Sequence, residues 1–417
     1  MSVDQWRTLD VVERIERGEM TIAEGATALG LSKRQMKRIR KRVRAEGHQG
    51  VVHKNTGRPP IHKTPDAIAS RVIALRLEKY IGFNDQHFLE KLVEFEGVDL
   101  SRSTVGRILR RAGIKAVRTR RAPKHRRRRD RRPQEGQMIL WDGSRHDWLE
   151  DRGPFLCLMA AIDDATGRVL PGAHFVDQEG TIGYLRVLRA IVTECGVPLT
   201  AYMDRHGALK RNDRHWSKEE QLRGRQEPTQ VKRALDDLGV QVLYALSPQA
   251  KGRIERLWGT FQDRLVSELR LAAASTVSEA NRVLSKYVGQ HNARFAVAAA
   301  QANSAWRPRL SGYDANCVCA LQYVRIVANN NSVRIGGQII DIPKRGGRRP
   351  TYARAEVIVR HQLDGRYRIY FGDEMIGQAQ GKPPIEPEHE PRSFERARRQ
   401  RAKRWQHKQG VTDSLTA

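Results

Sequence analysis

Apolar positions in the chain change period several times, and each change marks a different kind of element. Over Thr21 to Val43 (TIAEGATALGLSKRQMKRIRKRV) the spacing is helical: Ala26, Leu29 and Leu31 lead to Ser32, and Met36, Ile39 and Val43 form one stripe beyond it. Ser32 is placed to cap the second helix, with Gly30 at the turn. A second block, from about His62 to Gly113, ends LSRSTVGRILRRAGI; Ser101 reads as its cap, Val105, Ile108, Leu109 and Ala112 as its apolar face and Gly113 as its stop. Between the blocks, HKNTGRPPIHKTP has the Gly and Pro punctuation of a linker.

After residue 133 the pattern is strand-like. MILWD, FLCLMAAID and RVLPGAHF read as three strands separated by the turn signals RGP and DATG. A helix over Thr181 to Cys195 follows, with Ile182, Leu185, Leu188, Ile191 and Val192 on one face. Then come a strand (LTAYMD), a helix (VKRALDDLG), a strand (VQVLYA) and a long helix (RIERLWGTFQDRLVSELR). Strands alternating with helices predict an α/β core, a mixed, partly parallel sheet with flanking helices. Beyond about residue 320, VRIVANN, SVRIGGQIIDIP, AEVIVRH and GRYRIYF predict a small β-barrel of SH3 type. The organisation expected is thus a helix-turn-helix module over 1–50, a second helix-turn-helix or winged-helix-like module over 60–114, a basic linker over 115–133, a catalytic core over 134–300, a β-barrel over 320–378 and a basic tail over 381–417.

Charge narrows the class of partner. Lys and Arg number 76 against 47 Asp and Glu, a formal net charge of +29, which favours a polyanion because each phosphate neutralised releases condensed counterions. Double-stranded DNA is the expected partner. No apolar run approaches the roughly 18 residues of a membrane span, and the start MSVDQWRTLD lacks a basic-then-apolar leader, so a cytoplasmic chain without a membrane partner is expected. The four cysteines, Cys157, Cys195, Cys317 and Cys319, make no CxxC pair, which argues against a zinc ribbon or a disulfide framework. The DNA contacts expected are Lys33, Arg34, Lys37 and Arg38 on the outer face of the first block, Arg102 and Arg107 on the second, Arg126, Arg127 and Arg128 in the linker, and Lys251 before the long helix.

The chemistry lies in three acids. Breaking or joining a phosphodiester needs positive charge on both the entering and the leaving oxygen, and a pair of Mg²⁺ ions held by a few carboxylates meets that need. Asp142 ends the first strand, Asp204 ends the fourth, and Glu255 lies on the first turns of the long helix. Asp163 and Asp164, in AAIDDATGR, read instead as a structural hairpin turn, and Asp147 and Asp177 as solvated. His206, two residues after Asp204, is left outside the catalytic set.

With these residues in place, the chain resembles the DDE transposase and retroviral-integrase superfamily over nearly its whole length, most closely ISNCY-type insertion-sequence transposases. The most specific segment is YALSPQAKGRIERLWGTFQDRL, where Pro248, Gln249, Lys251, Gly252, Glu255 and Arg256 match the family's catalytic-helix motif. The resemblance implies an RNase H-like core, two Mg²⁺ or Mn²⁺ ions, and Asp142, Asp204 and Glu255 as both catalytic residues and metal ligands. It implies an enzyme that nicks the 3′ ends of an insertion sequence and transfers them into target DNA, acting as at least a dimer. Asp204 and Glu255 are 51 positions apart (255 − 204), longer than the compact integrase spacing; the extra length falls in LKRNDRHWSKEEQLRGRQEPTQ, which reads as a surface insertion. Two alternatives are a silent DNA-binding regulator derived from a transposase, which has no need of the carboxylates, and an RNase H-like nuclease without joining activity.

Overall fold

The computed structural model describes residues 1–56, 63–118, 129–211, 216, 218–245, 252–308, 314–344 and 351–387. By internal contacts the chain divides into two compact units at Arg71/Val72. The first unit holds α1 (Val3–Glu16), α2 (Ile22–Ala28) and α3 (Lys33–Glu46). Each helix is started by a side-chain cap: Ser2 on α1, Thr21 on α2 and Ser32 on α3, each a device worth about 1 kcal/mol. Gly30, at φ +65°, makes the turn into α3, and Met36 and Ile39 pack with Val11, Val12, Ile15 and Ala26. The predicted stripe on α3 therefore faces this core, and α1, a helix not among those predicted, supplies the other wall.

α4 (Asp66–Glu78) crosses the division, and α5 (Asp85–Phe95) and α6 (Arg102–Arg111) complete the second helical block. Val72, Tyr80, Phe83, Phe88, Leu92, Val98, Val105 and Leu109 form its core. Ser101 caps α6 as expected, accepting from the Thr104 N–H at 3.1 Å, and Gly113 ends it at φ +77°. Ala112, predicted on the apolar face, is exposed, because the helix has already terminated at Arg111.

The central sheet contains β1 (Met138–His146), β2 (Leu156–Asp163), β3 (His174–Val176), β4 (Thr200–Met203) and β5 (Gln241–Tyr244), with α7 (Thr181–Glu194), α8 (Lys218–Arg223), α9 (Gln230–Asp237), α10 (Gly252–Leu271) and α11 (Val277–Phe295) around it. Its order is β3-β2-β1-β4-β5, antiparallel across the first three strands and parallel from β1 to β4 to β5. This is the mixed sheet with flanking helices of an RNase H-like core. β1 is buried on both faces, which is why it opens as an unbroken apolar run. Ile139 and Trp141 join the cluster of α7 and α9, while Met138 and Leu140 join that of α10 and α11.

Two segments differ from expectation. RVLPGAHF is not one strand: only His174–Val176 pairs with β2, and Val169 makes a single bridge to Ile162, because Pro171 and Gly172 break the run. The stretch read as a surface insertion is partly folded in: Leu209 and Glu220 are buried, and Arg211 pairs with Glu220.

After α12 (Ala315–Val318), the strands are β6 (Leu321–Ile326), β7 (Ser332–Ile335), β8 (Gln338–Asp341), β9 (Glu356–His361), β10 (Arg366–Phe371) and β11 (Glu374–Gln380). They form an antiparallel sheet of order β11-β10-β9-β6 and a β7-β8 ribbon whose turn uses Gly336 and Gly337 at positive φ.

Candidate active site

The parallel pairing of β1 with β4 sets the site. Leu140 is level with Tyr202. Two residues further on (140 + 2 and 202 + 2) stand Asp142, still within β1 and by strand alternation on the face of Leu140, and Asp204, in the loop that follows β4. That face is covered by α10, through Ile254, Leu257, Trp258 and Phe261. Asp142 does not end its strand as expected: β1 stays paired with β2 as far as His146, so the acid lies within the sheet while Asp204 follows the last residue of β4. Both are half-buried.

α10 is registered on β1 by side-chain contacts. Trp258 Nε1 donates to Asp142 Oδ2 at 3.2 Å, and one turn later Gln262 Nε2 approaches Ser144 Oγ at 3.4 Å. Glu255, three residues before Trp258, is exposed on the first turn. Among the described residues, no three acidic, histidine or cysteine side chains are gathered as ligands of one ion. The donors on this face are carboxylate oxygens, the chemistry suited to a hard divalent cation such as Mg²⁺ or Mn²⁺.

A fourth acid, missed in the sequence, adjoins the two aspartates. Glu179 lies in the loop before α7, accepts the Tyr184 hydroxyl and faces His206 Nδ1 at 3.7 Å. Burial pushes its pKa up; Tyr184 and His206 act against this, and the charges of Asp142 and Asp204 add to it. The same burial, with Glu179 beside it, drives the Tyr184 hydroxyl well above its usual range. Gly143 makes the space: a Cβ there would lie 2.6 Å from Glu179 Oε2. His206, left outside the catalytic set, is placed between the acids, its backbone N–H donating to Asp204 Oδ1 at 2.8 Å. In sequence, Glu179 is one acid in a polar DQEG loop, and only the missing side chain at 143 hints at a close neighbour.

Asp163 and Asp164 have separate duties. Asp163, fully buried, closes the turn as predicted: Oδ1 accepts the Thr166 N–H and hydroxyl, and Oδ2 accepts the Gly136 N–H at 2.9 Å. Asp164 is not a turn residue in that sense. Its buried carboxylate accepts from Arg129, from Arg253 and from the Arg132 backbone. Asp177 is exposed and Asp147 half-buried.

Of the expected DNA contacts, Lys33, Arg34, Lys37 and Arg38 are exposed on α3, and Arg102 and Arg107 on α6. Arg40 and Arg44, also on α3, are taken up by Glu16. Arg126, Arg127, Arg128 and Lys251, with Pro248 and Gln249 of the motif, lie outside the described residues.

No protein-family model matches the chain. It is 34% identical over 308 residues to "Putative transposase y4bF" of Sinorhizobium fredii, an alignment covering 74% of this chain and 66%, just under two thirds, of that protein. It is 29% identical over 403 residues to the transposase for insertion sequence IS1202 of Streptococcus pneumoniae, covering 88% of this chain and 84% of that protein. Solved structures with a similar fold include the catalytic core of BIV integrase, at TM-score 0.27 and 15% identity over 38% of this chain and 85% of that one. The HTLV-2 integrase core in complex with magnesium gives TM-score 0.25 and 15% identity over 36% and 85%. Among the described residues, no helix is long and apolar enough to cross a membrane.

Proposed function

We propose that the chain, which is similar to two bacterial transposases over most of its length, is a DDE-type DNA transposase whose catalytic acids are Asp142, Asp204 and Glu255. The observation that carries the reading is the pairing of Leu140 with Tyr202 on neighbouring parallel strands, two residues before Asp142 and Asp204, on the sheet face covered by the helix that bears Glu255. Asp142, Asp204 and Glu255 would hold two Mg²⁺ or Mn²⁺ ions, which would supply the positive charge that entering and leaving oxygens need in phosphoryl displacement.

The rest falls to the protein's own groups. Asp142, within β1, and Asp204, just past the end of β4, give oxygens placed by the pairing of the two strands. Trp258 holds one oxygen of Asp142 by its indole N–H and fixes that carboxylate's orientation. Glu179, anchored by Tyr184, borders the acids together with His206. The exposed α3 face, with Lys33, Arg34, Lys37 and Arg38, reads the element ends as the second helix of a helix-turn-helix, and α6, with Arg102 and Arg107, adds a second such contact. The strands after residue 320 act as an SH3-like barrel with less specific contacts. The enzyme nicks the 3′ ends and transfers them to target DNA, and holding two ends requires at least a dimer, working in the cytoplasm on chromosomal DNA.

The test is a strand-transfer assay with the full chain, Mg²⁺ and duplexes carrying the element ends, run on Asp142→Asn, Asp204→Asn and Glu255→Gln. Nicked and joined products are expected from the wild type and from none of the three. Wild-type turnover by any one of them would remove that residue from the set, and cleavage without joining would reduce the activity to that of a nuclease.

A further inference from the structure

The buried Asp164 is the point where the end of the basic segment, the central sheet and the first turn of α10 meet. Its backbone N–H donates to Met138 O at 3.0 Å, fixing it beside the start of β1. Its side chain is fully buried, and both oxygens are used. Oδ1 accepts a guanidinium N–H from Arg129 and another from Arg253. Oδ2 accepts the second Arg129 contact at 3.2 Å and the Arg132 backbone N–H at 2.8 Å. Arg253 then donates its other terminal nitrogen to the Arg129 carbonyl at 2.7 Å, closing the network. Arg131 adds a contact to Ala165 O at 3.0 Å.

Arg253 is the second residue of α10 and lies two positions before Glu255. With Trp258 on Asp142, the first turns of this helix are held to the sheet at two points, one on each side of Glu255. A hairpin turn needs none of this, and Asp163 alone closes the turn. Removing one partner from a buried ion pair leaves the other charge uncompensated, at a cost in stability. In a helix end that cost is met most cheaply by local opening. Of the two guanidinium groups on Asp164, that of Arg129 is the more open to solvent, with 43% of its side chain exposed against 16% for Arg253. A phosphate drawn to the basic segment therefore competes with Asp164 for Arg129 first.

We infer that Asp164 is a positioning residue: through Arg253 it sets the first turn of α10, and through Arg129 it couples that turn to a DNA phosphate bound at the Arg129 guanidinium. The inference rests on the assignment of Glu255 as a catalytic acid for its functional meaning, though its structural half does not. The measurement is hydrogen–deuterium exchange on the metal-free full chain, following amides of residues 252–258, with Asp164→Asn and Arg253→Gln. Both variants are expected to raise exchange there by at least about tenfold while leaving the middle of α10 protected. In the wild type, adding duplex DNA is expected to raise exchange in the same amides and to do so less in Arg129→Gln.

The second readout is the Mg²⁺ concentration giving half-maximal strand transfer, which should rise by about tenfold in Arg253→Gln. Unchanged exchange in 252–258 with both variants folded overturns the inference; if Asp164→Asn does not fold, Arg253→Gln alone decides. Failure of the catalytic reading looks different: Glu255→Gln would then stay active whatever the exchange data say.

Discussion

Asp142, in the middle of β1, and Asp204, just past the end of β4, are both half-buried, whereas Asp163 and Asp164 sit where β2 turns and have no exposed surface at all. The second pair is consumed: backbone N–H groups, a threonine and two arginines occupy its oxygens. A carboxylate spent on the fold stabilises it and has no oxygen left for an ion or a substrate. One that keeps a solvent-facing side next to other acids costs stability and is suited to chemistry. The same division recurs among the cations of α3, where Arg40 and Arg44 are held by Glu16 and Lys33, Arg34, Lys37 and Arg38 face outward.

The comparison breaks most visibly if the two pairs respond alike. Replacing Asp142 or Asp204 by Asn should cut strand transfer by at least about 10³-fold, while the melting temperature moves by no more than a few degrees. Asp163→Ala should do the opposite, costing about 3–5 kcal/mol in a denaturant titration by leaving buried donors without an acceptor. A loss of activity without loss of stability in Asp163→Ala would erase the distinction.

Buried histidines provide a test of spent groups by pH. Burial, with Arg264 adding to it, depresses His291 from 6.5 to about 4. Since the folded value lies below the unfolded one, the unfolded state binds more protons between those limits, and stability rises with pH across the window. It is fully present above about pH 6.5 and lost as pH falls towards 4, by at most about 3 kcal/mol for this group. His87, also depressed chiefly by burial, acts in the same direction. His291→Phe is expected to flatten the acid limb of a melting-temperature profile; an unchanged limb would show that the ring is already charged in the fold.

The smallest effect belongs to α3. Arg38→Ala should weaken duplex binding several-fold and lower the slope of log K against log salt by about 1, while Arg44→Ala should leave that slope unchanged. Equal slopes for the two variants would mean that pairing with Glu16 does not withdraw Arg44 from DNA.

Much of this was legible in the text of the chain, for reasons that also explain what was not. β1, β2, β4, β5 and α10 announce themselves through apolar runs and periods, and their polar ends point to Asp142, Asp204 and Glu255. α11 was overlooked although Thr276 and Glu279 form a capping box, because its inner face runs Ala280, Leu284, Tyr287, His291 and so ends in a residue that does not read as apolar. β11 was missed because Gly377 interrupts a weak alternation. The contacts that decide roles join residues far apart: Trp258 with Asp142 across 116 positions, and Arg253 with Asp164 across 89. No local pattern specifies such pairs. Asp163 and Asp164 are adjacent and identical in kind, and only three-dimensional neighbours separate a turn closure from an ionic junction.

The far end of α10 is as firmly engaged as its beginning. Asp263 receives Asn84, Arg264 pairs with Glu90, and Glu268 takes both His87 and Lys91, all from the second helical block. From Glu255 to Glu268 is 13 residues (268 − 255), about 20 Å along a helix at about 1.5 Å per residue. Such a rod bends little, so a tug on the block at one end arrives at the other as a tilt. One helix thus spans from the second block's ion pairs at its far end to the turn that carries Glu255.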